Sequence, residues 1–178
     1  MDNGSVKVNI LELKSRLQLT IFGSYDKEAL DELVQLRECL REKGFLKCSL
    51  VSDYFIPLKK YGESNDQYNL RKSIYWLENS DACIFVFLCH VKNDGVAFEL
   101  KHTCDLLENK LSTSVVAIES KCQRYSTSLI RGTITNLAAQ KKLNRRFFKD
   151  ITQLCKFCSS AAISFLKEKK YVLMDRDG

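Results

Sequence analysis

Residues 79–104 read NSDACIFVFLCHVKNDGVAFELKHTC, and the architecture follows from how that run is parsed. Ala82 to Cys89 is an unbroken apolar run of eight residues, the pattern of a strand covered on both faces. A polar elbow, His90 to Gly95, comes next, and then a helix over Val96 to Lys110 that carries Glu99 in its first turns. A buried strand that delivers an acid just past its carboxyl end has the usual geometry of an α/β ligand site. Glu99 is therefore the leading candidate for a catalytic group.

Working outward, the same alternation continues on both sides. Leu17 to Gly23 (LQLTIFG) reads as a first core strand and Lys27 to Lys43 as a helix. Asp26 stands at the N-cap of that helix, Leu30, Leu33, Val34, Leu36, Cys39 and Leu40 recur at helical spacing, and Gly44 ends it. Phe45 to Val51 is a second strand, Ile56 to Tyr68 a loop with the single proline, and Asn69 to Asn79 a helix. After the 82–89 strand and its helix, Ser114 to Glu119 is a fourth strand. Strands alternating with helices predict a parallel sheet joined by right-handed crossovers. The expectation is a three-layer, flavodoxin-like α/β domain with four or five strands. A short fifth strand is expected near Leu129 to Thr135, and Leu143 to Tyr171 reads as one long helix or two. Residues 1–16 form an N-terminal arm of open type (strand, helix or ordered coil), and 17–178 one domain.

Composition sets the outer limits. With 178 residues, 45% hydrophobic and 28% charged, the chain is globular and large enough for a proper core. No apolar run reaches the about 18–20 residues that span a bilayer, and the charged first residues do not resemble a secretory signal. A cytoplasmic, non-membrane protein is expected. The eight cysteines read as reduced and structural, since several fall on buried strand or helix positions, with the disulfides that a hyperthermophile cytosol tolerates as the minor alternative. Cys155 and Cys158 form a CxxC with no second pair to complete a zinc site. Charge is uneven. Residues 1–120 hold 15 Lys/Arg against 18 Asp/Glu, and residues 121–178 hold 13 against 4. Such a basic third suits nucleic acid, an acidic partner or a phosphorylated ligand. A solvated helix face is the preferred explanation, so nucleic acid is not favoured. Arg145-Arg146-Phe147-Phe148 mixes basic and aromatic residues, but the phenylalanines read as core.

In a parallel sheet, all segments past the strands' carboxyl ends share one rim. That rim gathers Gly23-Ser24-Tyr25, Asp53-Tyr54 and the segment from His90 to Glu99. Gly23 permits close backbone approach, and Ser24 offers a hydroxyl before a helix N-terminus, where N–H groups favour an anion; a plain strand-to-helix turn accounts for both as well. Glu99 could act as a nucleophile or stabilise a cationic transition state, or could be an ordinary acid in a helix's first turn. His90, Glu99 and His102 are weighed as metal ligands and set aside for want of a His-rich spacing. No metal or cofactor is expected.

Asp94-Gly95-Val96-Ala97-Phe98-Glu99-Leu100 resembles the signature segment of the nucleoside 2-deoxyribosyltransferase superfamily, whose members include nucleoside-monophosphate N-glycosidases. Gly23-Ser24-Tyr25 is similar to the turn ending that family's first strand, and Ser80-Asp81 to the pair before its hydrophobic strand. The likeness covers roughly residues 17–119. It implies cleavage or transfer at an N-glycosidic bond, with Glu99 as nucleophile. Gly23, Ser24, Tyr25, Asp53, Asp81, Asp94 and Gly95 would then contact or orient the substrate. Toll/interleukin-receptor-like domains that cleave NAD are a more distant likeness with the same layout. The ligand so implied is a nucleoside, nucleotide or NAD-like molecule, and the resemblance also makes a homo-oligomer a candidate assembly, because family sites are often completed by a neighbouring subunit. No carboxylate stands between His90 and Asp94, where the family often has a second acid, and this keeps a non-catalytic nucleotide-binding or signalling module as the alternative.

Overall fold

A computed structural model describes residues 10–122 and 125–174, with side chains through Lys167. Five strands form one parallel sheet: β1 (Leu19–Phe22), β2 (Cys48–Leu50), β3 (Ala82–Phe87), β4 (Ser114–Glu119) and β5 (Asn144–Phe148). Their order in the sheet is β2-β1-β3-β4-β5, the flavodoxin-like arrangement. The helices are α1 (Ile10–Arg16), α2 (Lys27–Glu42), α3 (Asn65–Asn79), α4 (Asp94–Leu106), the short α5 (Glu108–Leu111), α6 (Ser128–Ala139) and α7 (Ile151–Met174).

The three layers follow from strand periodicity. Successive side chains point to opposite faces, so Leu19, Ile21, Ile84, Val86, Val115 and Ala117 pack on one side with α2 and α7. Phe22, Phe85, Phe87, Val116 and Ile118 pack on the other with α3, α4 and α6. β3 is buried at all six positions, as an apolar strand in the middle of a covered sheet must be, and the apolar run continues past its end through buried Leu88 to exposed Cys89. The chain goes from β1 outward to β2, then crosses back over β1 to β3 and continues the other way. The loops after β1 and β3 therefore part at the sheet's carboxyl edge, which opens a crevice there.

Three expectations need correction. Leu129 to Thr135 is helix, not strand: it lies within α6, whose cap Thr127 accepts a hydrogen bond from the Ile130 N–H through Oγ1. The fifth strand is Asn144–Phe148, within the stretch read as the start of the last helix. As an edge strand it covers little core, so Arg145 and Arg146 replace the apolar signal that a central strand carries. Of the two phenylalanines there, Phe148 is buried, whereas Phe147 is half exposed beneath the Arg145 guanidinium. The third correction concerns the cysteines. Cys39 on α2 and Cys155 on α7 form a disulfide, their Cα atoms 6.3 Å apart. Cys158, the CxxC partner of Cys155, is buried and free.

Two boundaries also shift. α3 begins at Asn65, where Ser64 Oγ accepts from the Gln67 N–H and Gln67 Oε1 accepts from the Ser64 N–H, a reciprocal capping box. β2 is only three residues long. The N-terminal arm resolves into α1 over its second half, and residues 1–9 lie outside the described part. Among the described residues no helix is long and apolar enough to cross a membrane.

Candidate functional site

The crevice holds a cleft of about 470 Å³. Tyr25 enters it from the turn after β1, Val51 and Ser52 from the end of β2, Asn69, Leu70, Lys72, Ser73 and Ile74 from α3, and Gly95, Phe98 and Glu99 from the first turns of α4. α3 and α4 thus form its walls, and the sheet's carboxyl edge its floor.

Glu99 is the feature that stands out. Its side chain is 8% exposed. Ser73 Oγ donates to Oε1, while Oε2 has no hydrogen-bond partner among the described residues. A carboxylate taken out of water without compensating donors resists ionisation. Burial accordingly pushes the Glu99 carboxyl up to about 8, with the Ser73 bond pulling the other way. Among the described residues it is the sole carboxyl group lining the cleft. Tyr25 lines the same cleft from the sheet's carboxyl edge. Its ring is partly exposed, but its hydroxyl is sunk, accepting from the Val51 N–H at 3.1 Å and donating to Ile21 O at 3.3 Å. Burial, then the nearby Glu99 charge, raises the phenol well above its usual value.

Lys72 is the second unusual group, and sequence reasoning missed it. It is buried, lines the same cleft, and has no ion-pair or hydrogen-bond partner among the described residues. The acid whose field reaches it is Asp53, which is already bonded to Arg37 at 2.7 Å. The ammonium lies 5.7 Å from the Tyr68 ring centroid. Desolvation lowers its pKa. The signal for Lys72 in the sequence is slight: one lysine in an amphipathic helix reads as a solvated position.

The sequence-derived candidates divide. Glu99, Tyr25 and Gly95 are brought together in the cleft. Gly23 is buried behind it, and a Cβ there would meet Leu33 Cδ1 at 2.9 Å, so this glycine serves the packing of α2 on β1. Ser24 turns away to donate to Asp26 Oδ2 at 3.1 Å. Asp53 folds back on the chain, accepting from the Leu50 N–H and from Arg37. Asp94 is exposed at the start of α4, outside the cleft lining. Asp81 is placed furthest from the expectation. It precedes β3, at the sheet's opposite edge, and accepts from the Gln18 N–H at 2.9 Å. Asp53 and Asp81 are thus tied into the backbone of the sheet ends, because an acid beside free strand N–H groups satisfies them before it can serve a ligand. His102 stacks on Phe98 and His90 faces Glu32 at 3.5 Å, so the His90–Glu99–His102 set is not assembled.

Gly95 differs from Gly23. A Cβ built there meets nothing within 4 Å, and its φ is not positive. Neither backbone strain nor internal packing asks for glycine, at a helical position where alanine would be the better former. What the missing side chain leaves bare is the first turn of α4, facing the cleft. The chain matches no protein-family model and no curated protein, so the likeness to the deoxyribosyltransferase superfamily rests on the motif residues themselves.

Proposed function

We propose that the cleft takes a nucleotide, nucleoside or NAD-like molecule and cleaves or transfers its N-glycosidic bond, with Glu99 attacking the anomeric carbon. The observation that carries this reading is the buried Glu99 carboxyl, with Oε2 unpartnered, lining a cleft large enough for such a ligand. In the first step a Glu99 oxygen bonds to the anomeric carbon as the carbon–nitrogen bond breaks, and the bonding pair leaves with the base, which takes up a proton. Water, or a second base, then displaces the glutamyl ester. Ser73 would hold Oε1 in place and leave Oε2 to react. Lys72 and the bare first turn of α4 at Gly95 supply positive potential in the same cleft, which favours a phosphorylated ligand over a neutral nucleoside. They take over the anchoring role that the sequence suggested for Ser24.

One observation favours a second reading, a binding module without turnover. Among the described residues, the cleft lining offers no second carboxyl to protonate the leaving base. The deciding experiment incubates the protein with nucleosides, nucleoside monophosphates and NAD and follows released base by chromatography. Release by the native chain and its loss in both Glu99→Ala and the isosteric Glu99→Gln supports the enzyme. Ligand-induced stabilisation with no release supports the binding module.

A further inference from the structure

Away from the cleft, one group of side chains has the composition and spacing of a metal centre. β3 and β4 pair in parallel with Phe87 opposite Ile118, so Cys89 and Glu119, just beyond that pair, emerge side by side at the sheet's carboxyl edge. The chain then turns: the Cys122 N–H donates to Glu119 O at 2.9 Å, which folds the Cys122 side chain back toward the other two. The sulfurs of Cys89 and Cys122 and a carboxylate oxygen of Glu119 all lie within 4.8 Å of one another. Around one tetrahedral zinc ion, with bonds of about 2.0–2.3 Å, ligand atoms stand roughly 3.5–4 Å apart. Small side-chain adjustments therefore close the site.

The surroundings suit an ion. Cys89 is exposed while Glu119 and Cys122 are half-buried, which leaves a path from solvent. The Cys89 N–H donates to Glu119 Oε2 at 2.9 Å, an outer contact of the kind that orients a ligating carboxylate. None of the three residues lines the Glu99 cleft. This site stands or falls separately from the glycosidic reading.

We propose that Cys89, Cys122 and Glu119 bind a zinc-class divalent ion, with the fourth position open to water. Each thiol loses its proton to solvent as its sulfur–metal bond forms. Two thiolates select zinc over magnesium or calcium, which prefer oxygen ligands throughout. The bound ion clamps the loop after β3 to the turn after β4. The first of these runs directly into α4, so the ion fixes the entry of the helix that carries Gly95 and Glu99.

The test is an anaerobic titration of the metal-stripped full chain with Co²⁺ alone, followed by Zn²⁺. The expected result is a thiolate-to-cobalt charge-transfer band that saturates at a single ion per chain and is bleached by Zn²⁺. Cys89→Ser or Cys122→Ser removes the band, and Glu119→Gln weakens affinity about tenfold or more. Cys104→Ser, a thiol remote from the site on α4, leaves the band unchanged, and circular dichroism verifies that each variant is folded. The proposal is overturned by the absence of a band in excess Co²⁺, or by a band that persists in both cysteine variants. It is equally overturned if Cys89 and Cys122 react with a thiol reagent as fast in excess Zn²⁺ as without it.

Discussion

Glu99 carries two consequences at the level of a single residue. Attack on an anomeric carbon needs the carboxylate, and the free protein holds that group neutral up to about pH 8. For base release, kcat/KM should rise about tenfold per pH unit below that value and level off above it. A profile that falls through the same pH would instead make Glu99 a proton donor. The second consequence concerns stability. An acid whose pKa is raised in the folded state favours folding fully below its unfolded value of about 4.5. That contribution is lost as pH rises to about 8, because the unfolded chain ionises first. Glu99→Gln should therefore flatten the fall in melting temperature across this window, with an upper bound of about 5 kcal/mol in stability. Lys72 gives a third prediction. Lys72→Met keeps the aliphatic packing and removes the charge, so KM for a nucleoside monophosphate should rise at least about tenfold, while that for the matching nucleoside changes little. The place of Glu99 in the cleft was readable because it falls in a motif with distinctive neighbours just past a buried strand. Lys72 and Ser73 were unreadable because their importance arises only when α3 packs against α4. Asp53 and Asp81 misled for the converse reason, being acids whose partners are backbone groups at strand ends.

Among the elements, legibility follows burial. β1, β3 and β4 announce themselves by mostly apolar runs, since a covered strand admits a polar residue only where it is hydrogen-bonded, as Thr20 and Ser114 are. β5 was hidden because an edge strand with one neighbour needs little apolar surface, and arginines there keep the open edge from pairing with another chain. α6 was hidden because Thr133, Thr135 and Ile134 are β-branched and suggest a strand, whereas only Ile134 of the helix is fully buried. The pairing of Cys39 with Cys155 was invisible for a different reason: it depends on α2 and α7 being neighbours on one face of the sheet, which no local pattern encodes. Because the two residues are 116 apart in sequence, the bond removes a large loop entropy from the unfolded chain. Cys39→Ser should lower stability by about 2–4 kcal/mol, measured by denaturant unfolding without reductant.

At the scale of the whole molecule, the basic C-terminal third gathers four of its cations, Lys141, Lys142, Arg145 and Arg146, around one open pocket beside β5 whose described lining holds no acid. Lys141 and Lys142 are exposed next to β5, Arg145 lies on Phe147, and Lys142 pairs with Glu108 at 3.1 Å. The cleft's position was legible because a parallel sheet puts every loop after a strand on one rim and the reversal of winding between β1 and β3 opens a gap there. The helix walls that complete it were not, since they depend on how α3 and α4 lean over the sheet edge.

The Cys39–Cys155 bond also makes the molecule, topologically, a ring with two free ends. The loop after β2, with exposed Lys59 and Lys60, lies inside that ring. A trypsin cut there should leave the two pieces running as one species in a gel without reductant and as two once thiol is added. A severed backbone in this stretch is then mended mechanically by sulfur, and fragments of a damaged copy stay together as long as their surroundings remain oxidising.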